Sequence, residues 1–205
     1  MKRLFLAIPL FILLFIFCGE KGEEYFPMGV GSVWKYTGYT LLITSSSTDT
    51  IQKFTSDTKA DSKGNLDNGL EVTLFVNIET VYVKSPYETT LVEVDTTYIR
   101  ESGNYILSYE SKSDPAPDTV LALPLEKDKT WQVDSTTTAK VLVEENVTVP
   151  AGTFKAWKVE QTTQGIPIYY WFAEGTGLVK VNMDYEPISG YRYVMNMELK
   201  SANVK

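Results

Sequence analysis

Histidine is absent from all 205 residues, and cysteine occurs once, at Cys18. Without an imidazole, Ser/His/Asp and Cys/His catalysis and the usual zinc ligand sets are excluded. A single Cys also excludes any internal disulfide framework. Positive charge is scarce: 19 Lys and Arg stand against 26 Asp and Glu, a net charge of −7. Such a surface repels nucleic acid and anionic headgroups, which argues against both as partners. An enzyme built from this chain would have to run on carboxylates, Lys, Tyr, Ser or Thr. Glycosidases do so with two acids, but no spacing here points to such a pair. The expectation is a non-enzyme with no catalytic residue, metal or cofactor.

Long apolar runs are also missing, with one exception. Lys2-Arg3 precede an uncharged run from Leu4 to Phe17, and Cys18 follows directly. The run is 14 residues, short of the roughly 20 that a spanning helix needs. A basic start and a short apolar stretch are the marks of a secretory signal. Ending on a lone Cys, with Gly19-Glu20-Lys21-Gly22-Glu23-Glu24 behind it, the segment resembles a bacterial lipoprotein precursor. That resemblance implies cleavage before Cys18, a diacylglycerol on its thiol and a third acyl chain on the freed amine. Phe17 stands where the resemblance expects a small residue, which leaves an uncleaved anchor as the alternative. Loss of Lys2 and Arg3 with the first 17 residues would move the net charge to −9. The expected organisation is a signal over 1–17, a lipidated Cys and solvated tether over 18–31, and one domain over 32–205. Gly19 after the Cys, rather than Asp, implies the outer membrane of a Gram-negative-type envelope, with the face occupied left open.

Helical periodicity is lacking beyond the signal. Apolar and polar residues alternate instead: Val72, Leu74, Val76, Ile78 and Tyr82 share one face, as do Val92, Val94 and Tyr98. Tyr105, Leu107 and Tyr109 repeat the pattern, then Val141, Val143, Val147 and Val149. The series continues through Val179, Val181, Met183 and Tyr185, and ends on Tyr191, Tyr193, Met195, Met197 and Leu199. Period two in Thr-, Val- and Tyr-rich segments predicts antiparallel β-sheet. Turn formers at Asp61–Asn65, Asp67–Gly69, Pro150–Gly152, Gly165–Pro167 and Gly175–Gly177 separate the strands. About ten sequential strands predict an all-β up-and-down meander curled into an open or nearly closed barrel. A two-sheet sandwich is the alternative.

Phe26-Pro27-Met28 precedes Trp34, and Leu123-Pro124-Leu125 precedes Trp131, with the same spacing from Pro to Trp. The echo suggests two similar β halves inside one domain. Three stretches stand out in order: Tyr25-Phe26-Pro27-Met28-Gly29-Val30-Gly31-Ser32-Val33-Trp34, Val149-Pro150-Ala151-Gly152-Thr153-Phe154, and Tyr170-Trp171-Phe172-Ala173-Glu174-Gly175-Thr176-Gly177. Together they resemble a group of bacterial envelope lipoproteins of uncharacterised activity. The resemblance implies a compartment and a β fold, and no reaction.

The hexapeptide turn has a sufficient structural explanation. Pro150 presets φ, Gly152 supplies a permissive backbone, and the phase change between Phe154/Ala156 and Trp157/Val159 predicts a β-bulge in that strand. Glu174, at a strand end beside two glycines, is read as a turn residue over a general acid, since no partner acid or base lies near it in sequence. Asp61, Asn65 and Asp67 fail the calcium-loop pattern at Lys63 and Leu66. Aromatics are the remaining signal. Tyr169-Tyr170-Trp171-Phe172 puts rings on both faces of one strand, so each face needs a dry neighbour. Trp34, Trp131, Tyr169, Tyr170, Trp171 and Phe172 are the expected lining if the barrel holds a cavity for an apolar ligand. The other outcomes are a binding surface for an envelope component, or a filled core with a structural role.

Overall fold

A computed structural model describes residues 25–84 and 88–205. The signal run, Cys18 and the acids of 20–24 lie outside the described residues.

Twelve β-strands, and no helix, make up the described chain. The first half contains β1 (Val33–Thr44), β2 (Thr48–Asn65), β3 (Glu71–Val83), β4 (Thr89–Ser102), β5 (Tyr105–Tyr109) and β6 (Asp118–Ala122). The second contains β7 (Thr130–Gln132), β8 (Thr137–Val149), β9 (Gly152–Thr163), β10 (Ile166–Ala173), β11 (Gly177–Ile188) and β12 (Tyr191–Asn203). Every strand pairs antiparallel with its sequence neighbour, apart from the β6/β7 break, and β1 pairs with β12 along its whole length. The result is an up-and-down meander closed between first and last strands. Its seam lies at β6/β7, where the Thr119 N–H donates to Val133 O at 2.9 Å and the Trp131 indole donates to Thr119 O at 3.0 Å. The barrel expectation holds, with twelve strands in place of about ten.

The sequence echo is a structural repeat. Ser32 N–H bonds Gly29 O at 3.0 Å, and 97 positions on, Lys129 N–H bonds Glu126 O at 3.1 Å. Gly31 and Ser32 exchange backbone bonds with Ala60 of β2, and Asp128 and Lys129 do the same with Val141 of β8. Ala60 and Val141 are fully buried, and each is followed by a bulge, at Asp61 and Leu142. Each half therefore opens on the same turn and docks it against its own second strand. That segment is no tether: Met28 is 5% exposed, and Tyr25 and Phe26 pack on the core. The packed domain begins earlier than Ser32.

Most strands contribute between one and three side chains to the buried interior. Tyr36, Phe75, Ile99, Ile106, Leu121, Val141, Val159, Phe172, Val179 and Leu199 belong to one buried cluster. Fully burying a Leu or Ile such as Leu121 or Ile106 stabilises by about 1.5–3 kcal/mol. Leu74, Tyr98 and Tyr109 lie opposite one another on the other face of β3–β5 and form a second small cluster with Leu66 and Val72.

Alternation identified strands correctly but not always their inner face. On β3 the side chains turned inward are Phe75, Asn77 and Glu79; Ile78 and Tyr82 are 45% and 50% exposed. Val92 and Val94, both 63% exposed, lie opposite Thr80 and Ile78 and extend the same outer patch. β4 pairs with β5 only from Tyr98 to Ser102, so its first half is an open edge. The bulge expected on β9 is carried by its partner instead: β9 pairs with β10 without interruption, and the extra residue is Leu142 on β8.

Candidate functional site: an aromatic cavity with an acidic rim

Between β1–β3 and the strands β11 and β12 lies a cavity of about 300 Å³. Its apolar wall is made by Phe26, Trp34, Phe54, Phe75 and Met197. Phe75 sits 5.6 Å from the Phe26 ring and 5.9 Å from the Trp34 ring, centroid to centroid. The segment before β1, which carries Phe26 and Pro27, thus closes one end of the space.

Two hydrogen bonds across the barrel hold this wall. The Trp34 indole N–H donates to Thr176 O at 2.7 Å, and the Tyr36 hydroxyl donates to Leu178 O at 3.0 Å. Burial pushes the Tyr36 phenol well above its ordinary pKa, so it remains a donor. Both acceptors belong to the β10–β11 hairpin, where Gly177 has φ 89° and would bring a Cβ to 3.2 Å from Pro27. Gly38 does similar work on β1: a Cβ there would lie 2.2 Å from the Phe54 ring, so only its absence lets Phe54 enter the cavity.

The opposite rim is polar. Ser56 and Thr58 both donate to the Asn77 side-chain oxygen, at 2.6 and 3.0 Å. Glu79 follows on the same face of β3, opposite Ser56 on β2 and Glu93 on β4. Burial, then the charges of Glu93 and Asp95, raise the Glu79 carboxyl above its ordinary pKa. None of the described ion pairs involves these three acids.

Of the expected lining residues, Trp34 is at the cavity and the others are placed elsewhere. Trp131 bonds the β6/β7 seam. Tyr170 and Phe172 stack at 6.4 Å within the core. Trp171 faces the other way, donating to Glu145 Oε1 at 2.8 Å, with Lys158 and Lys180 ammonium groups 5.0 and 5.7 Å from its ring. Tyr169 lies beside it, 4.3 Å from the same Lys158 ammonium. Lysine ammonium groups thus lie over this second face, while Trp171 and Tyr169 also pack with the main hydrophobic cluster. Glu174 is exposed in its turn. Phe54, Phe75 and Glu79 carried no sequence signal as a group, although Phe54 is the single aromatic of the polar strand β2. A larger concavity of about 610 Å³, lined by Thr50, Lys53, Tyr82, Lys84 and Glu88 among others, is open and of mixed polarity and adjoins residues outside the described set.

No protein-family profile and no curated protein matches the chain. Two solved structures resemble it. One is a candidate lipoprotein from Parabacteroides distasonis, 13% identical, covering 88% of this chain and 98% of its own, with a TM-score of 0.48. The other is a candidate exported protein with a YmcC-like fold from Bacteroides fragilis, 12% identical, covering 88% and 99%, with a TM-score of 0.47. The likeness is loose and carries no functional weight.

Proposed function

We propose that this chain is a non-catalytic, lipid-anchored envelope lipoprotein whose barrel binds a small apolar ligand. The observation that carries the binding part is the cavity walled by Phe26, Trp34, Phe54, Phe75 and Met197. A mostly apolar concavity with a few convergent polar groups is the common form of a small-molecule site. The anchoring part rests on the 14-residue run and Cys18; several acyl chains, at about 0.8 kcal/mol per buried CH₂, hold a protein on a membrane nearly indefinitely. Gly19 supports an outer-membrane address.

Both parts are testable. Cys18→Ser should release the protein from membranes under carbonate washing; retention would replace lipidation with an uncleaved anchor. A naphthalene probe should bind saturably and change Trp fluorescence, and Met197→Trp, which fills the cavity, should remove that binding. Absence of saturable binding in folded protein would leave the structural reading ahead. A second reading, docking of another envelope component, is favoured by the exposed patch of Ile78, Tyr82, Val92 and Val94.

A further inference from the structure

The cavity has two chemically distinct ends, and the polar end has a single sign. Glu79 stands directly opposite Glu93, and Asp95 is one step along the same face of β4 beside Asn77. Like charges directly opposite on a sheet destabilise it. The remaining cross-strand neighbours of Glu79 are Ser56, flanked by Phe54 and Thr58, so no Lys or Arg neutralises the cluster from an adjacent strand. Some acids elsewhere on this barrel are matched, Asp57 with Lys35, Asp128 with Lys140, Glu144 with Lys155 and Glu198 with Lys180, whereas Asp118 stands among Asp134, Glu110 and Asp114 in a second like-charge group that does not line the apolar cavity. Of the acids around Glu79, Glu79 itself lines the apolar cavity described above, and Glu93 and Asp95 lie exposed on the strand beside it. A local conflict that the fold does not need is commonly retained where function requires it.

Resting on the proposed apolar site, we infer that its ligand is a cationic amphiphile: an apolar body seated among Phe54, Phe75, Trp34 and Met197, with an ammonium head held by Glu79 and the adjacent Glu93 and Asp95. A bound cation removes the repulsion among the three carboxylates, which an uncharged or anionic head does not. It also compensates the burial that disfavours the Glu79 charge. Aromatic walls suit such a ligand further, because ring faces attract cations at close range. Size follows from the volume: at about 30 Å³ per water-sized group, the space of about 300 Å³ takes roughly ten non-hydrogen atoms.

Three probes of nearly one size separate head from body: 4-phenylbutylamine, 4-phenylbutanol and 4-phenylbutyrate. Full-length protein in phosphatidylcholine nanodiscs would be titrated with each by calorimetry, against empty nanodiscs. The expected order is amine, then alcohol, then carboxylate, with the amine at least tenfold tighter than the alcohol. Glu79→Gln should cut amine affinity about tenfold and leave alcohol affinity unchanged, and Glu93→Gln should act in the same direction more weakly. Equal binding of amine and alcohol, or preference for the carboxylate, would overturn the cationic head while the apolar site stood. Failure of all three to bind would remove the site itself and this inference with it. An amine preference unchanged in Glu79→Gln would also overturn the assignment, because the selecting charge would lie elsewhere.

Discussion

Gly31 and Asp128 hold the same turn in the two halves of the barrel, both with left-handed backbone, φ 89° and 66°. Glycine adopts that conformation freely, and Asp tolerates it better than most residues. A Cβ at Gly31 would meet only the end of the Lys205 side chain, at 3.0 Å from Nζ. Gly31→Asp should therefore cost less than about 1 kcal/mol, while Gly31→Val should cost about 1–3 kcal/mol through backbone strain. Urea midpoints of the two variants check the ordering. Equal cost would mean that the repeat does not govern this turn.

The Val149–Gly152 hairpin gives an independent test. Gly152 has φ 139°, and an added Cβ would meet nothing closer than Phe154 at 3.9 Å. Space is available, so any penalty must come from the backbone. Gly152→Val should lose about 1–3 kcal/mol and Gly152→Ala a similar amount, since size is not the obstacle. A much larger loss for Val than for Ala would point to crowding instead.

Tyr36 predicts an alkaline limit. Burial raises its pKa in the folded state above the ordinary phenol value, so folded protein holds the proton more tightly than unfolded protein. Its contribution is intact below the unfolded phenol pKa, about 10, and is lost as pH rises beyond that. Tyr36→Phe leaves Leu178 O without its donor, which should cost about 1–3 kcal/mol at neutral pH. That deficit should shrink above pH 10. A constant deficit across pH would show that Tyr36 ionises normally in the fold.

Trp171 and Trp34 should separate stability from binding. Trp171 is pinned by Glu145 and covered by Lys158 and Lys180 away from the cavity. Its truncation to Ala should cost about 3–5 kcal/mol without changing naphthalene-probe affinity in the protein that remains folded. Trp34→Phe, which reshapes the cavity wall, should change that affinity. Fluorescence titration at a denaturant-free temperature well below each midpoint makes the comparison.

Much of the architecture was legible because it is encoded locally. Val, Thr and Tyr alternation marks strands wherever they end up, and Pro150-Ala151-Gly152 forms its hairpin from residues adjacent in the chain. The paired Phe-Pro-Met and Leu-Pro-Leu segments showed the repeat because both halves enter the turn through an apolar-Pro-apolar segment and leave it towards a Trp, although the turn residues themselves differ. The site was less legible. Of six rings expected around a cavity, Trp34 lines it, while Phe54 stands alone among polar residues of β2 and Phe75 is one apolar residue among several on β3.

By itself, then, the sequence determined the class of fold, the order of its strands and most of the turns between them, Asp61–Asn65 excepted, which continues β2, since period two and turn chemistry depend on neighbours only. Which side of each strand became the inside was decided by closure. A strand has two equivalent faces until its register with distant partners is set, and β1 meets β12 across 147 to 170 residues. That pairing turned Phe75, Asn77 and Glu79 inward and left Ile78 and Tyr82 outside. It also brought Trp34 to Thr176 and Tyr36 to Leu178, and so made a cavity from residues that no local pattern connects.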